Sequence, residues 1–149
     1  MFEIESKQPE EITIKTATKN IVVNIVESKI SAGLNVGEIL GPGEFEIGEA
    51  AIRGIEVSAN RVIYDIEIGG VHIGVIGGIE EGLDELGVAD ILCTSSVRAV
   101  REISPKLVIA TGNIDGMVME LKLSAKTEKK IKIKKIDDLP SVMEVVALT

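Results

Sequence analysis

The segment Arg61-Val-Ile-Tyr-Asp-Ile-Glu-Ile68, followed by Gly69-Gly70 and then Val71-His-Ile-Gly-Val-Ile76, constrains this chain more than any other stretch. Two runs rich in β-branched residues flank a two-residue Gly-Gly loop, which supplies the positive φ values of a primed turn, so the segment reads as an antiparallel hairpin. The same period-two alternation of apolar and polar residues predicts strands over 11–15, 20–26 and 50–57. The only aromatic residues are Phe2, Phe45 and Tyr64, so Ile and Val must fill the core, and their stiff branched side chains favour strands over helices. Beyond the hairpin the pattern changes. It predicts short helices over 80–86, 96–103 and 116–125, alternating with strands over 90–93 and 107–110, then strands over 130–135 and 144–148. The order is all-β, then β/α, then β.

Length and charge narrow the function classes. A chain of 149 residues has the size of one domain, and no repeat or linker divides it, so 1–149 is taken as one unit. The net charge of −8, with few aromatic platforms, excludes a nucleic-acid backbone as the expected partner. The longest uncharged run, 68–79, has 12 residues, short of the roughly 18 needed to span a bilayer, so no membrane partner is expected. Two glutamates in the first five residues rule out a basic leader region, which points to the cytoplasm. A single cysteine, Cys93, leaves no intramolecular disulfide. Abundant Ile, Glu and Lys resembles a thermophile's usage. A mean hydropathy of +0.29 in so small a chain suggests an apolar face that a homo-oligomer would cover.

The glycine-punctuated stretch GPGEFEIGEAAIRG (41–54) invites comparison with a phosphate cradle. A dinucleotide fingerprint needs G-x-G-x-x-G running from a strand into a helix. Here Glu46 stands where the third glycine belongs, Glu44 would repel a phosphate, the residues beyond are strand-like, and no Walker lysine comes after Gly48. The stretch therefore reads as a fold corner, with a rigid turn at Gly41-Pro42-Gly43 and a bulge or crossing point at Gly48. Gly74, Gly77 and Gly78 crowd the end of a central strand, where a backbone can approach a neighbour closely.

Taken together, GPGEFEIGEAAIRGI, NRVIYDIEIGGVHIGVIGG, LDELGVADIL and ISPKLVIATGN, with the ending KKIKIKKIDDLPSVMEVVAL, resemble the small zinc-dependent hydrolases of the metallo-β-lactamase superfamily over about residues 28–148. The resemblance implies a β-rich α/β fold, a reduced αββα sandwich with mixed sheets. It also implies hydrolysis at the strand ends by a water that one or two bound metal ions acidify. The ligands are where this chain departs. The His-rich motif of the family would fall on Lys29, Ser31, Gly33 and Leu34, the bridging aspartate on Gly78 and the last histidine on Gly112. An accessory histidine falls on Glu81. The resemblance thus suggests a shortened form without metal ligands, whose vestigial pocket comprises Gly78, Glu81, Gly112 and Asn113.

Counting leads the same way: one histidine and one cysteine cannot build a tetrahedral zinc site within one chain. Glu80, Glu81 and Asp84 could hold a hard cation, or simply form the acidic start of a helix. His72 alternates with Val71 and Ile73 and is expected to be exposed and inert. Cys93 precedes a helix start, so a Cys93/His72 dyad is one reading and a packed, buried thiol the other. The segment KTEKKIKIKK (126–135) carries six lysines and reads as an anion-binding strip or as an edge strand guarded by lysines; the edge strand is favoured. The expectation is a non-catalytic binding or assembly module without a cofactor. The alternatives are a hydrolase with an altered site and a small-molecule sensor that uses the vestigial pocket.

Overall fold

The computed structural model describes residues 1–8, 11–25, 29–32, 39–40 and 42–149. In chain order these form β1 (Phe2–Gln8), β2 (Glu11–Lys15), β3 (Asn20–Asn24), β4 (Lys29–Ala32), β5 (Ile39–Leu40), β6 (Gly43–Ile47), β7 (Ala50–Ser58), β8 (Arg61–Ile68) and β9 (Val71–Gly77). Next come α1 (Leu83–Leu86), β10 (Ile91–Thr94), α2 (Val97–Ile103), β11 (Leu107–Ala110), α3 (Ile114–Leu121), β12 (Ala125–Glu128), β13 (Lys130–Ile133), a short 3-10 turn and β14 (Glu144–Leu148). Among the described residues the strands make two sheets, ordered β13-β1-β2-β3-β4-β5 and β12-β14-β11-β10-β9-β8-β7-β6. Gly33, Leu34 and Gly41 lie outside the described residues, as do the side chains of Lys29 and Ser31.

The first sheet is antiparallel throughout. The second is mixed: β6 to β9 pair antiparallel, whereas β9, β10, β11, β14 and β12 run parallel. The expected hairpin joins the two regimes. β8 and β9 pair from Tyr64 opposite Val75 to Ile68 opposite Val71, and Gly69 and Gly70 sit at φ 57° and 83°, the left-handed values that a primed turn requires.

Two apolar cores share the second sheet. Ile4, Ile12, Ile14, Ile21 and Val23 of the first sheet pack against Ile52, Tyr64, Ile66, Ile73, Ile91, Cys93 and Ile109 of the second. On the other face, Ile63, Ile76, Leu92, Val108 and Val145 pack against Leu83, Leu86, Ala99, Val100 and Met117 of the helices. β10 and β11 are buried at every position, which is why their sequences read as continuous apolar runs, as strands covered on both faces do. The result is a β-rich α/β sandwich with helices on the outer face of the second sheet among the described residues.

The outer face of the first sheet carries charge. Lys15 Nζ lies 2.8 Å from Glu5 Oε1, and Lys130 and Lys132 each lie 3.8 Å from Glu3. β13 is an edge strand of that sheet, so its lysines stand where a guarded edge was expected. No described helix is long and apolar enough to cross a membrane.

Several elements depart from the sequence expectations. The helix expected over 80–86 is one turn, α1, while the one expected over 116–125 starts at Ile114 and ends at Leu121, giving way to β12. All four residues of β12 are exposed, so it has no apolar rhythm to betray it. Gly48 (φ 58°) forms a two-residue hairpin turn with Glu49 and not a bulge, and a Cβ on it would lie 2.8 Å from Thr18 Oγ1 in the turn before β3, so the crossing-point reading holds.

Gly74 shows why the central strand uses glycine. A Cβ there would meet Leu86 and Leu92 at 3.0 Å and Ala89 at 3.3 Å, so α1 is seated directly on the backbone of β9. Gly74→Val is expected to destabilise by about 1–3 kcal/mol through overpacking, read as a lower urea midpoint. An unchanged midpoint would show that α1 can move away at no cost.

Candidate functional site

In open sheets of this kind, ligands bind beyond the carboxyl ends of parallel strands. Here β9, β10 and β11 finish side by side as Gly77-Gly78, Thr94-Ser95-Ser96 and Thr111-Gly112-Asn113. Buried Thr94 ties two of the ends together: its hydroxyl donates to Gly77 O at 2.7 Å and accepts from Ser96 N at 2.9 Å. Ser95 N also donates to Gly77 O at 3.0 Å, and Thr111 N donates to Thr94 O at 3.0 Å.

Exposed Ser95 is the centre of this cluster. A Cβ on Gly78 would lie 3.3 Å from its Oγ, and a Cβ on Gly112 would lie 3.3 Å from its Cβ. The fold therefore brings Gly78 and Gly112 to the two sides of one serine. Sequence reading missed Ser95 as the junction; the hydroxyl run Thr94-Ser95-Ser96 at a strand end was the available signal. Ser96 caps α2, accepting from Ala99 N at 3.1 Å and donating to Glu80 Oε2. Asn113 caps α3, accepting from Gly116 N at 3.1 Å.

The other expected pocket residue, Glu81, points elsewhere and lies 3.4 Å from Arg61 Nη1. Gly78 and Glu81 line a charged groove of about 600 Å³ that Glu80, Asp84, Arg61 and Arg98 share. Gly112 lines a different cleft of about 270 Å³ between the two sheets, with Ile12 and Ile25 on one side and Ile109, Thr111 and Leu148 on the other.

His72 is neither fully exposed nor idle, which corrects the sequence expectation. Its Nδ1 lies 3.1 Å from Asp65 Oδ1, and its backbone N donates to Asp90 Oδ2 at 2.9 Å. Arg53 completes the group: its Nη2 is 3.7 Å from Asp65 Oδ2 and donates to the carbonyls of Glu85 and Leu86 at 3.0 and 3.1 Å. Thus Arg53 holds the end of α1, and His72 shares Asp65 with it. His72 stands six residues before Gly78 along β9, about 20 Å at the usual strand rise.

Cys93 lies on the opposite face, in the inter-sheet core with Ile73 and Val75, the residues that alternate with His72. No Cys93/His72 dyad can form across the sheet. Burial pushes the Cys93 thiol up to about 12, so it is a packed thiol and not a nucleophile.

The described donor set does not fit zinc. Among the described residues no group of three or more His, Cys, Asp or Glu could hold a metal ion, and Gly78 and Gly112 occupy two positions where the resemblance puts ligands.

No family model matches the sequence, and no curated protein matches it. Among solved structures, the chain is similar to a Thermotoga maritima protein provisionally described as a Zn-dependent hydrolase of the metallo-β-lactamase superfamily. The identity is 15%, the TM-score 0.74, and the match covers 99% of this chain and 98% of that one. At that identity the likeness establishes the fold alone: this is a β-rich α/β protein with a metallo-β-lactamase-like fold.

The Cys93 placement has a pH signature. Because the folded thiol holds its proton to about 12 and an unfolded one to about 8.5, its contribution to stability is complete below the lower value and declines as pH rises between the two. Urea unfolding at pH 8 and pH 10 should show the wild type losing about 2 kcal/mol more than Cys93→Ala. Equal losses would place the thiol in contact with water.

Proposed function

We propose that this chain is a non-catalytic protein of metallo-β-lactamase-like fold that lacks metal ligands and acts in the cytoplasm as a binding or assembly module; the shortening expected from sequence finds no support in a match that covers 98% of the similar structure. The observation that carries the reading is the pair Gly78 and Gly112 flanking Ser95. By the resemblance, ligands of a metal-dependent hydrolase would fall on these two strand-end glycines, and neither has a donor atom in its side chain. The single imidazole is committed to Asp65 at the other end of β9. A hydroxyl cannot replace this set, because unassisted serine and threonine need an adjacent base to become nucleophiles. Glu80, the nearest carboxylate, accepts from the Ser96 side chain, which caps α2.

Elemental analysis of protein purified without chelator, together with ester and phosphodiester hydrolysis assays with added Zn²⁺, tests this directly. The expected result is far less than one transition-metal ion per chain and no turnover above buffer. One tightly bound ion per chain with metal-dependent turnover would overturn the reading.

A second reading, a small-molecule sensor, draws support from the cleft beside Gly112. At about 270 Å³ it is close to the lower limit of ligand pockets, and its lining is mostly aliphatic, with Ser6, Thr111 and Thr149 as its hydroxyl-bearing residues. That lining suits a small, mostly apolar ligand. Thermal shift with indole and cyclohexanol should stabilise the wild type and not Ile25→Phe, whose larger side chain narrows the cleft. No shift with either probe counts against the sensor.

A further inference from the structure

The two outer edges of the eight-stranded sheet are β12 and β6, about 34 Å apart at the usual strand spacing. Their surroundings carry opposite charge. The strip 126–135 begins with β12 and runs on through β13, holding six lysines and one glutamate, a local charge of +5 in a chain whose remainder is −13. Lys129, Lys134 and Lys135 are exposed.

At the other edge the register places Glu44 opposite Arg53 and Arg53 opposite Asp65, while Glu46 faces Ala51 and Ala51 faces Glu67. These side chains share one face and line a shallow groove of about 480 Å³, with small, exposed Ala51 between the carboxylates of Glu46 and Glu67. Glu44, Glu46 and Glu67 are exposed, and among the described residues they have no ion-pair partner. The acidic groove thus presents three uncompensated carboxylates beside a strand, β6, that pairs only with β7 among the described residues.

We infer that the chain associates head to tail with further copies of itself, the lysine strip of one copy docking in the Glu44, Glu46, Glu67 groove of the next. This rests on the assembly reading given above and names its partner. Charge dictates the geometry. Two lysine edges brought together by a two-fold axis repel, as do two acidic grooves, so the contact joins unlike patches and generates a ring or an open chain. The net charge of −8 opposes approach at long range, but at 0.15 M salt it is screened beyond about 8 Å, whereas pairs in contact are not. Among the described residues, β12 pairs only with β14 and β6 only with β7, so each has one side on which the sheet could be extended across such a contact.

Sedimentation velocity of the full chain at 10–200 μM in 0.15 M NaCl tests the inference. The expected result is a mass that rises with concentration above 15.9 kDa and returns to monomer in 1 M NaCl. Two variants, Lys129→Glu/Lys134→Glu/Lys135→Glu and Glu44→Lys/Glu46→Lys/Glu67→Lys, should each weaken association at least tenfold, and a 1:1 mixture should recover it. Thermal melts verify that both remain folded, since every altered side chain is exposed. A wild type that stays monomeric overturns the inference, and so does association that survives in both variants or fails to return on mixing. Metal content measured on the same preparation decides the non-catalytic reading independently of mass.

Discussion

The eight-stranded sheet must be covered on both faces, and that constraint organises the rest of the molecule. β10 and β11 have apolar side chains on either side, so neither face tolerates water. The first sheet covers one face with isoleucine and valine, and the three helices cover the other. With so few aromatic rings, burial is assembled from many β-branched side chains of similar size, each contributing about 1.5–3 kcal/mol when fully removed from water. Packing at this density leaves little freedom at the interface, which is why Gly74 yields its side-chain space to Leu86 and Leu92.

Covering the parallel strands in this way also aligns their ends. Thr94 is fully buried there, and its hydroxyl serves as a clasp between the β9 and β10 termini, where an apolar residue would leave Gly77 O with one partner fewer. Backbone pairing and the caps of α2 and α3 hold this edge together. A frame of this kind survives exchange of its functional side chains, since function sits on loops that the two cores do not depend on. Glycines at 78 and 112 are compatible with the fold for that reason.

Much of this architecture was legible in the chain. The Gly69-Gly70 hairpin, the strand at 107–110 and the final strand matched because each has an unambiguous period or a specific turn signal. β12 escaped because an exposed edge strand has no buried face to impose a pattern. α1 was overestimated since the acidic residues before it resemble a helical first turn but instead serve Ser96 and Arg61. At the strand ends, the glycines could be read from sequence, yet their meeting on Ser95 could not, because it depends on the parallel register of three strands separated by helices. His72 was misjudged for a related reason: its partner Asp65 is a diagonal neighbour across a hairpin, and Arg53 comes from a third strand.

The pairing of β1 with β13 sets Phe2 opposite Ile133 and Glu5 opposite Lys130. One side of β1 thus has as its companion a strand that lies far along the chain. Pairings that span most of a chain are slow to close, because the intervening polypeptide must first be brought together. Until that pairing closes, Phe2 and Ile4 border an unfinished interior, and Glu3 between them turns to the opposite face of the strand.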